Sequence, residues 1–140
     1  HELCMKVVLK VIMTVEDAIA ADRAGCDGIV VSNHGGRALD HTPGTIEVLP
    51  AIAAQVKGRM AVLMDGGIRD GLDVLKALAF GADAVLIGRP FCLAAVGGGS
   101  EGVKLTADHL YNQLVRSMVL TGCPSVREAG RHLVSTAHLA

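Results

Sequence analysis

Gly28-Ile29-Val30-Val31-Ser32-Asn33-His34-Gly35-Gly36-Arg37 passes from an apolar run straight into a loop dense with polar and ionisable groups. The run through Val31 has the unbroken apolar character of a strand buried on both faces. A rigid strand feeding a polar, glycine-containing loop is how proteins commonly present reactive side chains. His34 and Arg37 stand three residues apart, and the glycines between them let the backbone turn tightly and approach a flat ligand. Imidazole exchanges protons near neutral pH, and guanidinium offers a planar fork that fits a carboxylate with two hydrogen bonds. Together they point to removal of a proton or hydride from a small organic acid. Taken alone, the loop is equally compatible with a turn carrying a solvated histidine.

Working outward, four such runs recur, at residues 7–10, 28–31, 60–64 and 84–87. Helical segments with legible ends lie between them. Thr14 to Asp17 resembles a capping box, followed by a helix that stops at Gly25. Pro50 suits a first helical residue, with Ala51 to Val56 behind it and Gly58 closing. Asp70 or Gly71 caps the next helix, in which Leu72, Leu75, Leu78 and Ala79 are expected to form one apolar face. The strand starts are separated by 21, 32 and 24 residues, a spacing suited to successive βα units with parallel strands.

Each conspicuous polar group falls where a strand ends: Lys10, Ser32 to Arg37, Asp65 to Arg69, and Gly88-Arg89. A (β/α)8 barrel brings all such ends to one face, where its active site lies, whereas an open doubly wound sheet does not gather them so closely. The expected fold is therefore an α/β TIM barrel, represented by about its last four βα units plus C-terminal helices. Thr106 is expected to cap a helix striped by Leu110, Leu114, Val115, Met118 and Val119. Ser125 to Glu128 reads as a second capping box opening a short helix to about Val134. Gly97 to Gly102 reads as a flexible loop without a dinucleotide fingerprint.

The composition agrees with a globular domain spanning residues 1–140. The chain is 51% hydrophobic and 19% charged, with aromatics at only 2%, so the core must be built from Ala, Val, Leu and Ile. A formal net charge of -1 provides no footprint for nucleic acid. No apolar run approaches the roughly 18 residues that span a bilayer, and no signal peptide is expected ahead of the first strand. Cys4, Cys26, Cys92 and Cys123 have neither Cys-x-x-Cys nor metal-ligand spacing, so buried reduced thiols in a cytoplasmic protein are expected. The chain opens on His1 and enters a strand almost at once, which reads as part of something longer.

Asp65-Gly66-Gly67-Ile68-Arg69 and Gly88-Arg89-Pro90 form two basic strand-end loops in register. Their glycines allow backbone N–H groups to face an anion, while Arg69 and Arg89 supply charge-assisted bonds. A barrel frequently builds its phosphate site from the loops after strands seven and eight, so the four units here correspond to five through eight. Lys10 is a surface lysine by default, but at the same mouth its charge can hold negative charge on a cofactor ring.

Ser32-Asn33-His34-Gly35-Gly36-Arg37, Asp65 to Arg69, the run Gly71-x-Asp73-Val74-x-Lys76-Ala77-Leu78, and Gly88-Arg89-Pro90 together resemble the FMN-dependent α-hydroxy acid oxidases and dehydrogenases. Glycolate oxidase, lactate oxidase, flavocytochrome b2 and mandelate dehydrogenase belong to that family. The resemblance runs from about Val7 to about Gly122 and implies oxidation of a 2-hydroxy acid to the 2-oxo acid. It implies His34 as base and Arg37 on the substrate carboxylate. It further implies FMN held by Lys10, Ser32, Asp65, Gly66, Gly67, Ile68, Arg69, Gly88 and Arg89. The complete protein is expected to be a homo-oligomer using oxygen or another electron acceptor.

Val11 departs from the family pattern, standing where a glycine usually follows the lysine and stiffening that loop. The substrate tyrosines, the aspartate paired with the histidine and a second substrate arginine belong to the family's first half and have no counterpart here. The single tyrosine, Tyr111, lies in a C-terminal helix and cannot replace them. Two alternatives stand: a flavin-linked isomerase of the type 2 isopentenyl diphosphate isomerase kind, and a non-catalytic flavin- or phosphate-binding half-barrel. The His34/Arg37 pair argues against the isomerase, because a diphosphate substrate needs no carboxylate clamp.

Overall fold

The computed structural model describes residues 4–135; His1 lies outside the described residues. Its sheet has four parallel strands in the order β1 (Val8–Ile12), β2 (Gly28–Val31), β3 (Ala61–Asp65) and β4 (Ala84–Leu86). Each strand pairs with its neighbour in sequence, so the winding never reverses direction. That is how a barrel wall is laid down; a doubly wound sheet reverses at a switch point. With every strand parallel, their C-terminal ends share one edge.

Helices α1 (Val15–Arg23), α2 (Thr45–Val56) and α3 (Gly71–Ala79) are the crossovers. Ile29 and Val31 of β2, with Val62 and Met64 of β3, alternate onto one sheet face. There they are buried against Ala18 and Ala21 of α1 and Leu49, Ile52 and Val56 of α2. Small alanines on α1 let it lie close to the sheet despite the scarcity of aromatic residues. The expected caps form: Thr14 accepts from the Asp17 N–H at 3.1 Å, and Asp70 accepts from the Asp73 N–H at 2.8 Å.

A repeat within the chain staples the opposite edge. Gly25-Cys26-Asp27 precedes β2 and Gly81-Ala82-Asp83 precedes β4. The Asp27 carboxylate accepts from the Val7 N–H at 2.8 Å and pairs with Lys6 at 2.7 Å; the Asp83 carboxylate accepts from the Val62 N–H at 2.8 Å. Each aspartate thus ties the strand it opens to the strand before it. Hydrogen bonding from Lys6 holds the Asp27 carboxyl below its ordinary value and raises Lys6 in return. These bonds lie at the strands' N-terminal ends, the stability face of a barrel.

Several elements differ from the sequence expectation. Helix α2 begins at Thr45, five residues before Pro50, which sits inside it. Proline there forfeits one helical hydrogen bond. Burial of Leu49, Ile52 and Val56, all fully inaccessible, outweighs that loss. On α3 the buried face is Gly71, Leu75, Ala77 and Ala79, whereas Leu72 is 41% exposed.

Residues 97–102 are not a loop but part of a helical run, α4 (Arg89–Thr121), interrupted at Gly99 with φ 56° and ψ -142°. A Cβ on Gly102 would lie 2.4 Å from the Ala94 carbonyl oxygen. In a straight helix, positions eight apart are about 12 Å apart along the axis. The chain therefore doubles back at Gly99, and only glycine permits the close approach of the two limbs. Thr106 lies within the second limb rather than at its start, and Val119 of the expected stripe is 73% exposed. After a left-handed Gly122, the Ser125 box opens a single 3₁₀ turn (Val126–Glu128), followed by another (Arg131–Leu133). Cys26 is half-buried and Cys123 buried, but Cys4 and Cys92 are exposed, against the expectation of buried thiols.

β1 and β4 are the sheet edges, and on β1 Val8, Leu9 and Val11 are 41–48% exposed. Open edges with apolar side chains template association. Residues 1–140 prepared by themselves are expected to dimerise or aggregate, and light scattering from a monodisperse monomer would contradict this.

Candidate active site

At the common C-terminal edge of the strands lies a cleft of about 460 Å³, lined by Lys10, His34, Arg37, Asp65 to Arg69 and Gly88 to Pro90, with Gly35, Leu86, Ile87 and Cys92. Ten of the eleven residues singled out from the sequence therefore share its wall. The other, Ser32, is fully buried beneath it.

Lys10 organises the floor. Its ammonium lies 2.7 Å from Asp65 Oδ2 and donates to Ser32 Oγ at 2.9 Å, bridging the ends of β1, β2 and β3. The pairing leaves Asp65 Oδ1 buried without a hydrogen-bond partner. A buried carboxylate oxygen without a donor is costly unless a ligand supplies one. Val11, next to Lys10, has φ 68° at a break in the β1–β2 register between Lys10 and Ile12. A β-branched residue in the left-handed region is a true outlier and stores strain beside the cleft. The bulge turns the strand directly after Lys10, where glycine would meet no steric penalty.

The loop after β2 is built to present His34. Left-handed φ runs through three successive residues: His34 at 57°, Gly35 at 69° and Gly36 at 72°. The glycines adopt this freely; His34 does so against a cost of about 1–2 kcal/mol. Ser32 Oγ offsets part of that cost by accepting from the His34 N–H at 3.1 Å. Ser32 thus supports both Lys10 and the histidine backbone, though it does not line the cleft. Arg37 Nε approaches the His34 carbonyl oxygen at 3.5 Å, too far for more than a weak contact, so the guanidinium faces the cleft largely uncommitted.

Beyond β3, Gly66 and Gly67 take φ 88° and 79°, and a Cβ on Gly67 would meet nothing within 4 Å. Gly88 is equally open, and α4 starts at Arg89, so the positive end of that helix meets the cleft between Arg69 and Arg89. Ile68, 6% exposed, anchors the loop from below. These features match a phosphate with a polyol behind it: two guanidiniums and a helix end for the phosphate, a donor-starved carboxylate for a hydroxyl, and an ammonium deeper in. FMN has that shape and donor set.

The sequence reading missed Thr45 and Asn33 as parts of this structure. Thr45, 3% exposed, is with Ser32 one of two buried polar residues among those described, and its hydroxyl donates to the Asp65 carbonyl oxygen at 2.7 Å. Ile46, Leu49, Ile52 and Val56 recur at helical spacing before and after Pro50, and that signal places Thr45 at a helix start.

Residues 1–136 match the family model of FMN-dependent dehydrogenases. The chain belongs to the FMN-dependent dehydrogenase family. Its relatives include a peroxisomal (S)-2-hydroxyacid oxidase of Arabidopsis thaliana, 50% identical over 132 residues, covering 94% of this chain and 36% of the relative. An L-lactate oxidase of Lacticaseibacillus rhamnosus matches at the same identity, length and coverage. The structure superposes on mandelate oxidase in complex with benzoyl-formic acid with a TM-score of 0.88 and 52% identity, over 91% of this chain and 38% of that one. The chain thus spans somewhat more than a third of the length of these FMN-dependent relatives. Among the described residues no helix is long and apolar enough to cross a membrane.

Proposed function

We propose that the protein carrying this chain oxidises a small 2-hydroxy acid, of the lactate, glycolate or mandelate type, to the 2-oxo acid, using FMN held in the cleft. The observation that carries this reading is one wall bearing a left-handed His34, an uncommitted Arg37 and a phosphate-like cradle at Arg69 and Arg89. Residues 1–140 act as one part of a barrel domain, the complete protein is a homo-oligomer, and its unpaired thiols suit a reducing compartment such as the cytoplasm.

FMN would supply the two-electron sink. Arg69, Arg89 and the first turn of α4 would hold its phosphate, and Asp65 and Lys10 would face the rest of the cofactor, with Ser32 supporting Lys10 from beneath. Arg37 grips the substrate carboxylate with its two-pronged face, which fixes the adjacent carbon and hydroxyl relative to His34. The His34 imidazole takes the proton released as the C–O bond becomes C=O. Leu86 and Ile87 line the cleft with apolar surface and keep water from competing for these contacts.

The test is anaerobic mixing of the full-length protein with lactate, glycolate and mandelate while flavin absorbance is followed. Bleaching by at least one acid is expected, and indifference to all three overturns the assignment of substrate class. Arg37→Lys is expected to raise the substrate dissociation constant about 10–100-fold with a smaller change in the reduction rate, because an ammonium cannot make the paired contact. An unchanged constant removes Arg37 from carboxylate binding.

A further inference from the structure

The loops after β2 and β3 carry different duties, yet they meet at one buried point. Thr45 Oγ1 donates to the Asp65 carbonyl oxygen at 2.7 Å and lies 3.4 Å from that of Gly66. Asn33, the residue before His34, donates through Nδ2 to the Pro43 carbonyl oxygen at 3.3 Å, closing residues 33–43 on themselves two positions before Thr45. Gly66 fits against both side chains: a Cβ there would lie 3.2 Å from Thr45 Oγ1 and 3.4 Å from Asn33 Oδ1. Asn33 Oδ1 is buried without a hydrogen-bond partner, so the junction is held by shape and by the threonine hydroxyl. Neither Thr45 nor Asn33 lines the cleft.

We propose that Thr45 is a positioning residue whose hydroxyl locks the loop bearing His34 and Arg37 to the loop bearing Asp65, Gly66 and Gly67, so that FMN affinity and substrate-carboxylate affinity depend on it together. This rests on reading the cleft as the FMN site. The physical reason is leverage. Asp65 lines the cleft and pairs there with Lys10, and its own carbonyl is what Thr45 grips. A small rotation of that peptide swings the carboxylate and tilts the positive-φ glycines after it. The same slackening frees the start of α2, and with it the C-terminal end of the loop that carries Arg37.

Thr45→Val keeps the buried volume and removes the donor; Thr45→Ser keeps the donor and removes a methyl. In the full-length apoprotein, FMN binding is titrated by flavin fluorescence, and in the holoprotein the dissociation constant of pyruvate is measured by flavin absorbance. Thr45→Val is expected to raise both constants about tenfold, the worth of one buried hydrogen bond, while Thr45→Ser stays within about threefold of the parent. A role in packing alone predicts the opposite order, since the methyl and not the hydroxyl would then matter. Parent-like FMN binding by Thr45→Val overturns the proposal, as does a Thr45→Ser variant as weak as Thr45→Val. A parent that takes up no FMN overturns the reading of the cleft itself, and the proposal with it.

Discussion

His34→Ala in the full-length protein is expected to slow flavin reduction by a 2-hydroxy acid about 10²–10⁴-fold, the usual worth of a general base, with FMN still bound. The histidine sits on the cleft wall at the start of a left-handed turn, and the bond that stabilises this geometry is made by its backbone N–H to Ser32 Oγ. Removing the imidazole therefore leaves that bond in place and takes away only the proton acceptor. Alanine is no worse suited than histidine to packing there, but it tolerates φ 57° less readily, so His34→Asn serves as a second variant with a side chain at home in that region. Stopped-flow absorbance separates the two contributions. Normal reduction by either variant would remove His34 from the mechanism, and loss of FMN from both would assign it to cofactor binding.

Arg89→Ala is expected to weaken FMN binding by about 1.5–3 kcal/mol, or roughly 10–150-fold in dissociation constant, as loss of a charge-assisted hydrogen bond to phosphate. Arg89 opens α4, so its charge adds to the helix end at the same spot. Its guanidinium also passes close to the β2 loop: a Cβ on Gly35 would lie 3.4 Å from Arg89 Nη2. The arginine thus borders both the cradle and the loop that carries His34. Riboflavin, which lacks the phosphate, provides the control. Arg89→Ala should bind it as the parent does, and if FMN affinity is also unchanged then the phosphate lies elsewhere.

The parallel βα winding, and the gathering of strand-end residues at one cleft, were legible in the residues alone. Near-continuous apolar runs can be recognised as parallel strands without coordinates, because such a strand has no polar side to alternate with, although here only β2 is buried on both faces. Their spacing made them parallel, and parallel strands place every C-terminal end on one edge. Thus Lys10, His34, Arg37, Asp65, Arg69 and Arg89 could be assigned to one site while standing up to 79 positions apart, from 10 to 89.

Tertiary structure decided what depends on partners distant in the chain. Pro50 marks a helix start by local rules, yet α2 begins at Thr45 because burial of Leu49, Ile52 and Val56 outweighs one lost hydrogen bond. Glycines 97–99 argue for a loop, yet they mark the corner of two apposed helical limbs, since Gly102 must pass the Ala94 carbonyl. The bond from Thr45 to the Asp65 carbonyl was invisible for a further reason: its acceptor is main chain, which every residue possesses and no residue type announces. The strain at Val11 and His34 is likewise set by the bulge and turn that surround them. Residue type limits which φ values are cheap; the packed fold decides where an expensive one is retained.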